Sequence, residues 1–185
     1  MNFLPDNIDQ YASDHTQKEP ELLQELFRET WQKALVPRMI SGHFQGRVLS
    51  MISKLTHPKT ILEIGTYTGY SALCLAEGLQ AGGALHTIDH NEELYDFQRK
   101  YFDRSDHKHQ IKQYVGEALA VITEIEGPFD LVFIDADKAN QAVLALEQEF
   151  ENDFYSQDVH QISVVNNVAV ISIIGQDLSE FHHPY

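Results

Sequence analysis

Three charged residues directly follow an apolar run in the second half of the sequence, and their types are suited to chemistry. The stretch FDLVFIDADKAN, residues 129–140, places Asp135, Asp137 and Lys138 after the apolar residues. Charges are costly to bury unless they are paired or hold a ligand, so a strand that ends in three of them indicates a binding or catalytic site. A helix-capping aspartate that pairs with a surface lysine would give the same pattern. The motif therefore identifies a candidate site without deciding its function.

A glycine-containing turn, EIGTYTGYS at residues 63–71, is a second candidate. Gly65 and Gly69 let the backbone pass close to a ligand, but Tyr67 stands where a dinucleotide-binding motif has its second glycine. Asp89 lies 20 residues beyond Gly69, where a carboxylate can accept both hydroxyls of a ribose. A tight turn and a helix cap would explain the same residues structurally. Their order and spacing together favour a nucleoside cofactor without a pyrophosphate, of which S-adenosylmethionine is the common one.

The elements that must position these residues alternate between strands and helices. Such alternation is typical of right-handed βαβ units and of a mostly parallel sheet covered on both faces. Strands are predicted at 60–65, 84–90, 110–116 and 130–137, and helices at 16–35, 42–55, 70–79, 91–102, 117–125 and 139–150. The second helix has one apolar side, formed by Phe44, Val48, Met51, Ile52 and Leu55.

The fold class that follows is α/β, a doubly wound sheet with helices at its N-terminal side. Ligands of such sheets bind beyond the carboxyl ends of the strands. Three predicted strand ends carry acids, at Glu63, at Asp89, and at Asp135 with Asp137. The candidate residues are therefore expected at one edge of the sheet.

Composition and charge limit the partners and the location that we expect. The chain has 185 residues, 43% hydrophobic and 22% charged, as in one ordinary globular domain. Its net charge of −15 disfavours nucleic acid, and its apolar runs are shorter than the roughly 20 residues of a membrane span. The sequence begins without a secretory pattern and has one cysteine, Cys74, so we expect a cytoplasmic location.

The sequence resembles the cation-dependent O-methyltransferases of the caffeoyl-CoA and catechol type. The resemblance runs from about Tyr11 to Asn140 and is carried by the motifs MISGHFQG, LEIGTYTGYSALCLA, IDHNEE, GEAL and FIDADKAN. It implies a Rossmann-like, class I S-adenosylmethionine-dependent methyltransferase fold. It also implies transfer of a methyl group to a hydroxyl of a small, catechol-like acceptor with a divalent cation, and it raises the expectation of a homodimer.

Site residues follow from the resemblance position by position. It implies cofactor contacts by Met39, Ser41, Glu63, Gly65, Thr66, Ser71, Asp89, Ala118 and Asp137. The two catalytic residues would be Asp135, which binds a divalent cation such as Mg²⁺, and Lys138, the base beside the acceptor hydroxyl. A phenol with a pKa of about 10 is a poor nucleophile at neutral pH, and a bound cation lowers that pKa. A cation nearby also favours the neutral lysine that a base requires.

The sequence departs from the family after Asn140. It lacks the proline-glycine-glycine turn and the strand ending in Asp-Asn that completes the metal site; VVNNVAV would supply Asn166 and Asn167 as neutral ligands. The stretch VNNVAVISIIGQDL instead resembles the opening strand of the ACT regulatory domains of aspartate kinases. We expect an incomplete methyltransferase domain at 1–140, with the C-terminal part of its sheet truncated or replaced. An atypical tail at 141–185 would pack on or beside the sheet.

Two rival functions belong to other classes. A truncated, catalytically inactive S-adenosylmethionine-binding protein would keep Glu63 and Asp89 while its metal site is degraded. An NAD-dependent oxidoreductase is disfavoured by the spacing of Gly65 and Gly69. Within the family, a hydroxylated nucleoside in RNA is another acceptor, which the net charge disfavours.

Overall fold

A computed structural model describes residues 5–134 and the backbone of residues 170–172. These residues form a five-stranded sheet in the order β3-β2-β1-β4-β5. Strands β1 to β4 are parallel, and β5 runs antiparallel to β4. The strands are β1 (Thr60–Ile64), β2 (Ala84–Asp89), β3 (Ile111–Val115), β4 (Leu131–Ile134) and β5 (Val170–Ser172).

Helices precede the sheet and connect its strands. Those in the described part of the chain are α1 (Asp6–Asp14), α2 (Glu21–Lys33), α3 (Gly42–Thr56), α4 (Tyr70–Ala76), α5 (Tyr95–Phe102) and α6 (Ala118–Ile122). Short 3₁₀ turns lie at Pro37–Met39 and Glu92–Leu94. Within this part of the chain, no helix is long and apolar enough to cross a membrane.

The architecture confirms the predicted α/β class, the mostly parallel sheet and the N-terminal helices. All four predicted strands are present, and the fourth is described as far as Ile134. Helix α1 was not predicted, because it contains too few apolar residues for a clear helical period. The predicted helix 139–150 lies outside the described residues. The division of the chain at residue 140 stays a prediction.

Both faces of the sheet are covered, which explains why its strands are apolar along most of their length. On one face, strand residues pack with α2, α3, α4 and α5, in a cluster that includes Leu26, Leu49, Ile61, Leu85, Phe102 and Leu131. On the other face, a smaller cluster joins Leu62, Ile64, Ile88, Val132 and Ile134 to Ile122 of α6 and to Phe129. The sheet is thus doubly wound, as predicted.

Helix α3 does not bury the side that its apolar pattern indicates. Phe44, Met51 and Leu55 are 43%, 53% and 77% exposed, and the buried side consists mainly of smaller or polar residues, Gly46, Arg47, Leu49, Ser50 and Ser53. The cause is the close approach of α4. A Cβ atom at Gly46 would lie 2.5 Å from Tyr70 Cε1 and 2.9 Å from Cys74 Sγ. At Gly46 there is no room for a side chain between the two helices.

A buried ion pair fastens α3 to the end of α4. Arg47 donates two hydrogen bonds to Glu77, at 2.6 and 3.1 Å, and Ser50 and Lys54 donate to the same carboxylate at 2.6 and 2.7 Å. Burial opposes ionisation of Glu77, but these donors outweigh it and lower its pKa to about 2. Burial also raises the pKa of the Cys74 thiol, 3.4 Å from Arg47, to about 12. At neutral pH the pair is therefore charged and the thiol is protonated.

The two cations that contact Glu77 differ in exposure, which gives a matched test. The Arg47 side chain is 6% exposed and the Lys54 side chain 47%. Arg47→Met should lower the free energy of unfolding by about 3 kcal/mol, because it leaves a largely buried carboxylate without its bidentate partner. Lys54→Met should cost less than about 1 kcal/mol, because water replaces an exposed cation. Urea denaturation at pH 7 measures both free energies of unfolding. Equal losses in the two variants would contradict the larger contribution assigned to the buried Arg47.

Candidate active site

The glycine turn after β1 is held in an unusual backbone conformation. Gly65 and Gly69 have φ angles of +101° and +90°, and Tyr67, between them, has φ +49°. The Gly65 N–H donates to the Ile88 carbonyl at 2.9 Å, which ties the turn to β2. Positive φ angles are favourable for glycine and disfavoured for a residue with a side chain. Other contacts must therefore fix Tyr67.

Asp89 supplies one of those contacts from the end of β2. Its side chain is 6% exposed. The Tyr67 N–H donates to Asp89 Oδ2 at 2.6 Å, and the Asn91 N–H donates to Oδ1 at 2.9 Å. The imidazole Nδ1 of His90 lies 3.5 Å from Oδ1. One carboxylate thus joins the loop after β1 to the loop after β2.

A cleft of about 600 Å³ opens beside these two loops. Its volume lies within the range of about 300–1,000 Å³ typical of small-molecule sites. Three residues predicted to bind the cofactor line it: Met39, Gly65 and Asp89. The other lining residues are Lys33, Ala34, Leu35, Val36, Tyr67, His90, Asn91, Glu93, Leu94 and Phe97. The walls are mainly apolar, and the Asp89 carboxylate is a polar group within them.

One wall of the cleft is the segment between α2 and α3, which contains Val36 and Met39. The Tyr67 hydroxyl donates to the Val36 carbonyl at 2.9 Å. Burial raises the pKa of Tyr67 above its ordinary value, so the hydroxyl stays protonated and able to donate at neutral pH. Tyr67 therefore connects this wall to the glycine turn.

Three other predicted cofactor residues are buried and lie outside the cleft lining. Glu63, Thr66 and Ser71 are 0%, 1% and 5% exposed. The Thr87 hydroxyl donates to the Glu63 carboxylate, and the hydroxyls of Thr66 and Thr87 are 2.5 Å apart. These contacts join Thr66 of the glycine turn to β1 and β2, and Ser71 lies in the first turn of α4.

Ser41 and Ala118 also lie apart from the cleft lining. Ser41 is the N-cap residue of α3 without a side-chain cap hydrogen bond, and it is half-buried. Ala118 begins α6 and packs against the smaller core cluster. The cleft thus brings together three of the predicted cofactor residues and leaves these five outside its lining.

The predicted catalytic residues, Asp135 and Lys138, lie outside the described residues. The same holds for Asp137, predicted to bind the cofactor, and for Asn166 and Asn167. β4 is described as far as Ile134, which pairs with Ile64 at the end of β1. Within residues 5–134, no group of three or more histidine, cysteine or acidic residues is arranged to hold a metal ion.

Sequence reasoning missed several residues of the cleft. Val36 and Tyr67 were not predicted as site residues, because their positions depend on an irregular segment and a positive φ angle rather than on periodicity. Leu94 and Phe97 follow a helical period that indicated burial. In the structure both line the cleft, and Phe97 also packs against the larger core cluster. The available signal was their position just after Asp89.

The fold and the cleft together define a class of protein. A doubly wound sheet with a glycine turn after β1 and an acid at the end of β2 is typical of Rossmann-like nucleotide-binding folds, a group that includes the class I S-adenosylmethionine-dependent methyltransferases. A family model described as "O-methyltransferase" matches residues 13–147. The chain belongs to this O-methyltransferase family, as the motifs predicted.

Curated relatives agree with this assignment. Caffeoyl-CoA O-methyltransferase 1 of Arabidopsis thaliana is 36% identical over 129 residues, which are 66% of this chain and 49% of that protein. A catechol O-methyltransferase of Niastella koreensis is 30% identical over 141 residues, 74% of this chain and 63% of that protein. The chain thus spans about half to under two thirds of the length of these relatives.

Solved structures have the same fold. The S-adenosylhomocysteine-bound methyltransferase of Podospora anserina has a TM-score of 0.72 and 27% identity, covering 80% of this chain and 67% of that one. An O-methyltransferase of Bacillus cereus, in complex with S-adenosylhomocysteine, has a TM-score of 0.68 and 33% identity over 76% of this chain and 67% of that one. Both contain the demethylated cofactor.

The glycine turn gives a test of its packing. A Cβ atom at Gly69 would lie 2.7 Å from Phe102 Cε1, whereas at Gly82, where φ is also positive, it would meet no atom within 4 Å. Gly82→Ala should cost about 1 kcal/mol, from the backbone alone. Gly69→Ala should cost about 3 kcal/mol, because the clash with a buried ring adds to the same backbone term. Thermal unfolding compares the two, and equal losses would mean that Phe102 moves away freely.

Proposed function

We propose that this chain transfers a methyl group from S-adenosylmethionine to a hydroxyl of a small, catechol-like acceptor, with the help of a divalent cation. The observation that carries the proposal is the buried Asp89 carboxylate on the cleft, joined to the glycine turn through the Tyr67 N–H. Family membership and the S-adenosylhomocysteine in two similar structures support the choice of cofactor.

The cleft suits a nucleoside with an attached sulfonium amino acid. Each oxygen of a carboxylate accepts more than one hydrogen bond, so Asp89 can bind ribose hydroxyls while it keeps its main-chain donors. Leu94 and Phe97 offer apolar surface for the adenine, and Gly65 lets the backbone approach the methionine portion. Met39 closes the cleft from the segment between α2 and α3.

The other cofactor residues keep proposed roles of two kinds. Glu63, Thr66 and Ser71, all buried, would position the backbone that meets the methionine portion. Ser41, Ala118 and Asp137 would contact the cofactor directly, with Ala118 near the adenine.

The proposed catalytic residues are Asp135 and Lys138. Asp135 is bonded to Ile134, which ends the described part of β4 beside β1. Hard divalent cations prefer oxygen ligands such as the carboxylate of Asp135. Asn166 and Asn167 are the candidate neutral ligands. A cation held there would lower the pKa of an acceptor hydroxyl. Lys138 would accept the proton of that hydroxyl. The deprotonated oxygen would attack the methyl carbon as the bond from that carbon to the sulfonium sulfur breaks, which leaves S-adenosylhomocysteine.

The acceptor class rests on the relatives, which are named for caffeoyl-CoA and catechol. We propose a small aromatic acceptor with a hydroxyl group rather than a nucleic acid, because the net charge of −15 repels the phosphate backbone of a nucleic acid. A homodimer and a cytoplasmic location remain predictions.

Asp89 and Asp130 form a matched pair for testing the cofactor site. Each carboxylate accepts two main-chain N–H groups, but Asp130 does so at the opposite end of β1, from Lys59 and Thr60 at 2.8 and 2.9 Å. Both alanine variants should lose stability, about 2 kcal/mol each. Asp89→Ala alone should raise the Kd of S-adenosylhomocysteine at least about a hundredfold in isothermal titration. An unchanged Kd would refute the ribose assignment.

The cation and the acceptor are tested by turnover. Wild-type protein should methylate catechol in the presence of Mg²⁺ and lose this activity with a chelator. Asp135→Ala should remove the Mg²⁺ dependence, whereas Asp103→Ala, which changes a 60% exposed acid on the end of α5, should keep it. Binding of S-adenosylhomocysteine without turnover would instead favour an inactive binding protein, and binding of NAD would favour an oxidoreductase. Equal activity of the wild-type protein with and without chelator would contradict the metal assignment.

A further inference from the structure

Gln98 is a buried polar residue next to the glycine turn that the proposed reaction does not use. It lies on α5, is 1% exposed and does not line the cleft. A buried amide must find partners for its polar atoms. Its partners are the main-chain carbonyl of Tyr67 in the glycine turn and the side-chain amide of Gln113 on β3.

The orientation of the Gln98 amide follows from the chemistry of its partners. The Tyr67 carbonyl can only accept, so the Gln98 atom 2.6 Å away is the amide nitrogen Nε2. The Gln98 oxygen Oε1 then faces Gln113 Nε2 on β3, which donates to it. Gln113 Nε2 also lies 3.3 Å from the Tyr95 carbonyl. Gln98 is thereby anchored from β3.

These hydrogen bonds form a chain that ends at the carboxylate of Asp89. Gln113 holds Gln98, Gln98 holds the carbonyl of Tyr67, and the N–H of Tyr67 donates to Asp89 Oδ2 at 2.6 Å. Hydrogen bonds thus hold Tyr67 at both its carbonyl and its N–H. Its φ of +49° is disfavoured for a residue with a side chain, so we expect these bonds to stabilise the turn in this conformation.

We propose that Gln98 is a positioning residue for the cofactor site, which fixes the Tyr67 turn so that Asp89 and the cleft wall at Val36 are held ready for the ligand. Gln98 acts through Tyr67 and touches no ligand. A site whose groups are held in place before binding loses less entropy when the ligand arrives. The inference rests on the proposed binding of S-adenosylmethionine.

Two substitutions separate the contribution of the Gln98 N–H donor from that of the size of the side chain. Gln98→Glu keeps the size and can still accept from Gln113, but its carboxylate cannot donate to the Tyr67 carbonyl. Gln98→Leu removes both functions. Each variant should raise the Kd of S-adenosylhomocysteine about tenfold, the effect of losing one buried hydrogen bond. In methyl-transfer assays the KM for S-adenosylmethionine should rise and kcat should stay unchanged.

Gln110 provides the matched control at the opposite end of the sheet. Its Nε2 donates to the turn carbonyls of Gln80 and Gly83, at 2.9 and 3.3 Å. Gln110→Leu should lower the melting temperature without changing the Kd. If it weakens S-adenosylhomocysteine binding as much as Gln98→Leu does, the effect reflects general loss of stability and the inference is wrong.

Hydrogen exchange in the ligand-free protein tests the mechanism without the cofactor. The amides of residues 65–67 should exchange faster in both Gln98 variants than in wild type and in Gln110→Leu. If wild type binds S-adenosylhomocysteine while the Gln98 variants match it in Kd and in exchange, the inference fails and the proposed function stands. If the wild-type protein does not bind S-adenosylhomocysteine, the proposed function fails. If, in addition, the amides of residues 65–67 exchange at the wild-type rate in the Gln98 variants, the positioning of the turn by Gln98 is overturned as well.

Discussion

The Asp89 carboxylate is the group on which the geometry of the cleft depends. It accepts the N–H of Tyr67 from the loop after β1 and the N–H of Asn91 from the loop after β2. Each bond to a charged acceptor is stronger than a neutral one, so a single side chain holds both loops at a fixed separation. The proposed ligand would bind the same carboxylate. The Asp89 carboxylate would thus both hold the two loops and bind the ligand. Comparison with an acid such as Asp130, which has only the structural role, separates the two effects.

Much of the fold could be predicted from the period of the sequence, and the exception has a physical reason. Apolar runs and helical patterns located β1 to β4 and most helices, because burial on both faces of a sheet leaves a clear signal. The apolar pattern of α3 did not indicate which side packs against α4, because that packing is limited by space rather than by hydrophobicity. Gly46 and Ser53 fit where larger residues would clash, so the apolar side of the helix is left facing outward.

Less of the candidate site could be predicted. The motifs indicated Met39, Gly65 and Asp89, which line the cleft, because their spacing along βα turns is tied to the positions of strand ends. Tyr67 carried no comparable signal. Its place in the cleft lining depends on a positive φ angle and on hydrogen bonds to residues distant in sequence, Val36 and Gln98, which no local pattern encodes. Networks of this kind have to be read from three-dimensional structure.

The close contact between α3 and the chain at the end of α4 bears on how the cleft can change shape. At Gly78 a Cβ atom would lie 2.2 Å from the Ser53 main chain, and the Ser53 hydroxyl donates to the Leu75 carbonyl at 2.5 Å. Helices packed this closely cannot slide past each other without losing these contacts. Among the described residues, those that line the cleft come from neither α3 nor α4. A change in the shape of the cleft would therefore involve its own lining segments, such as the one that contains Val36 and Met39, and would leave the contact between α3 and α4 in place.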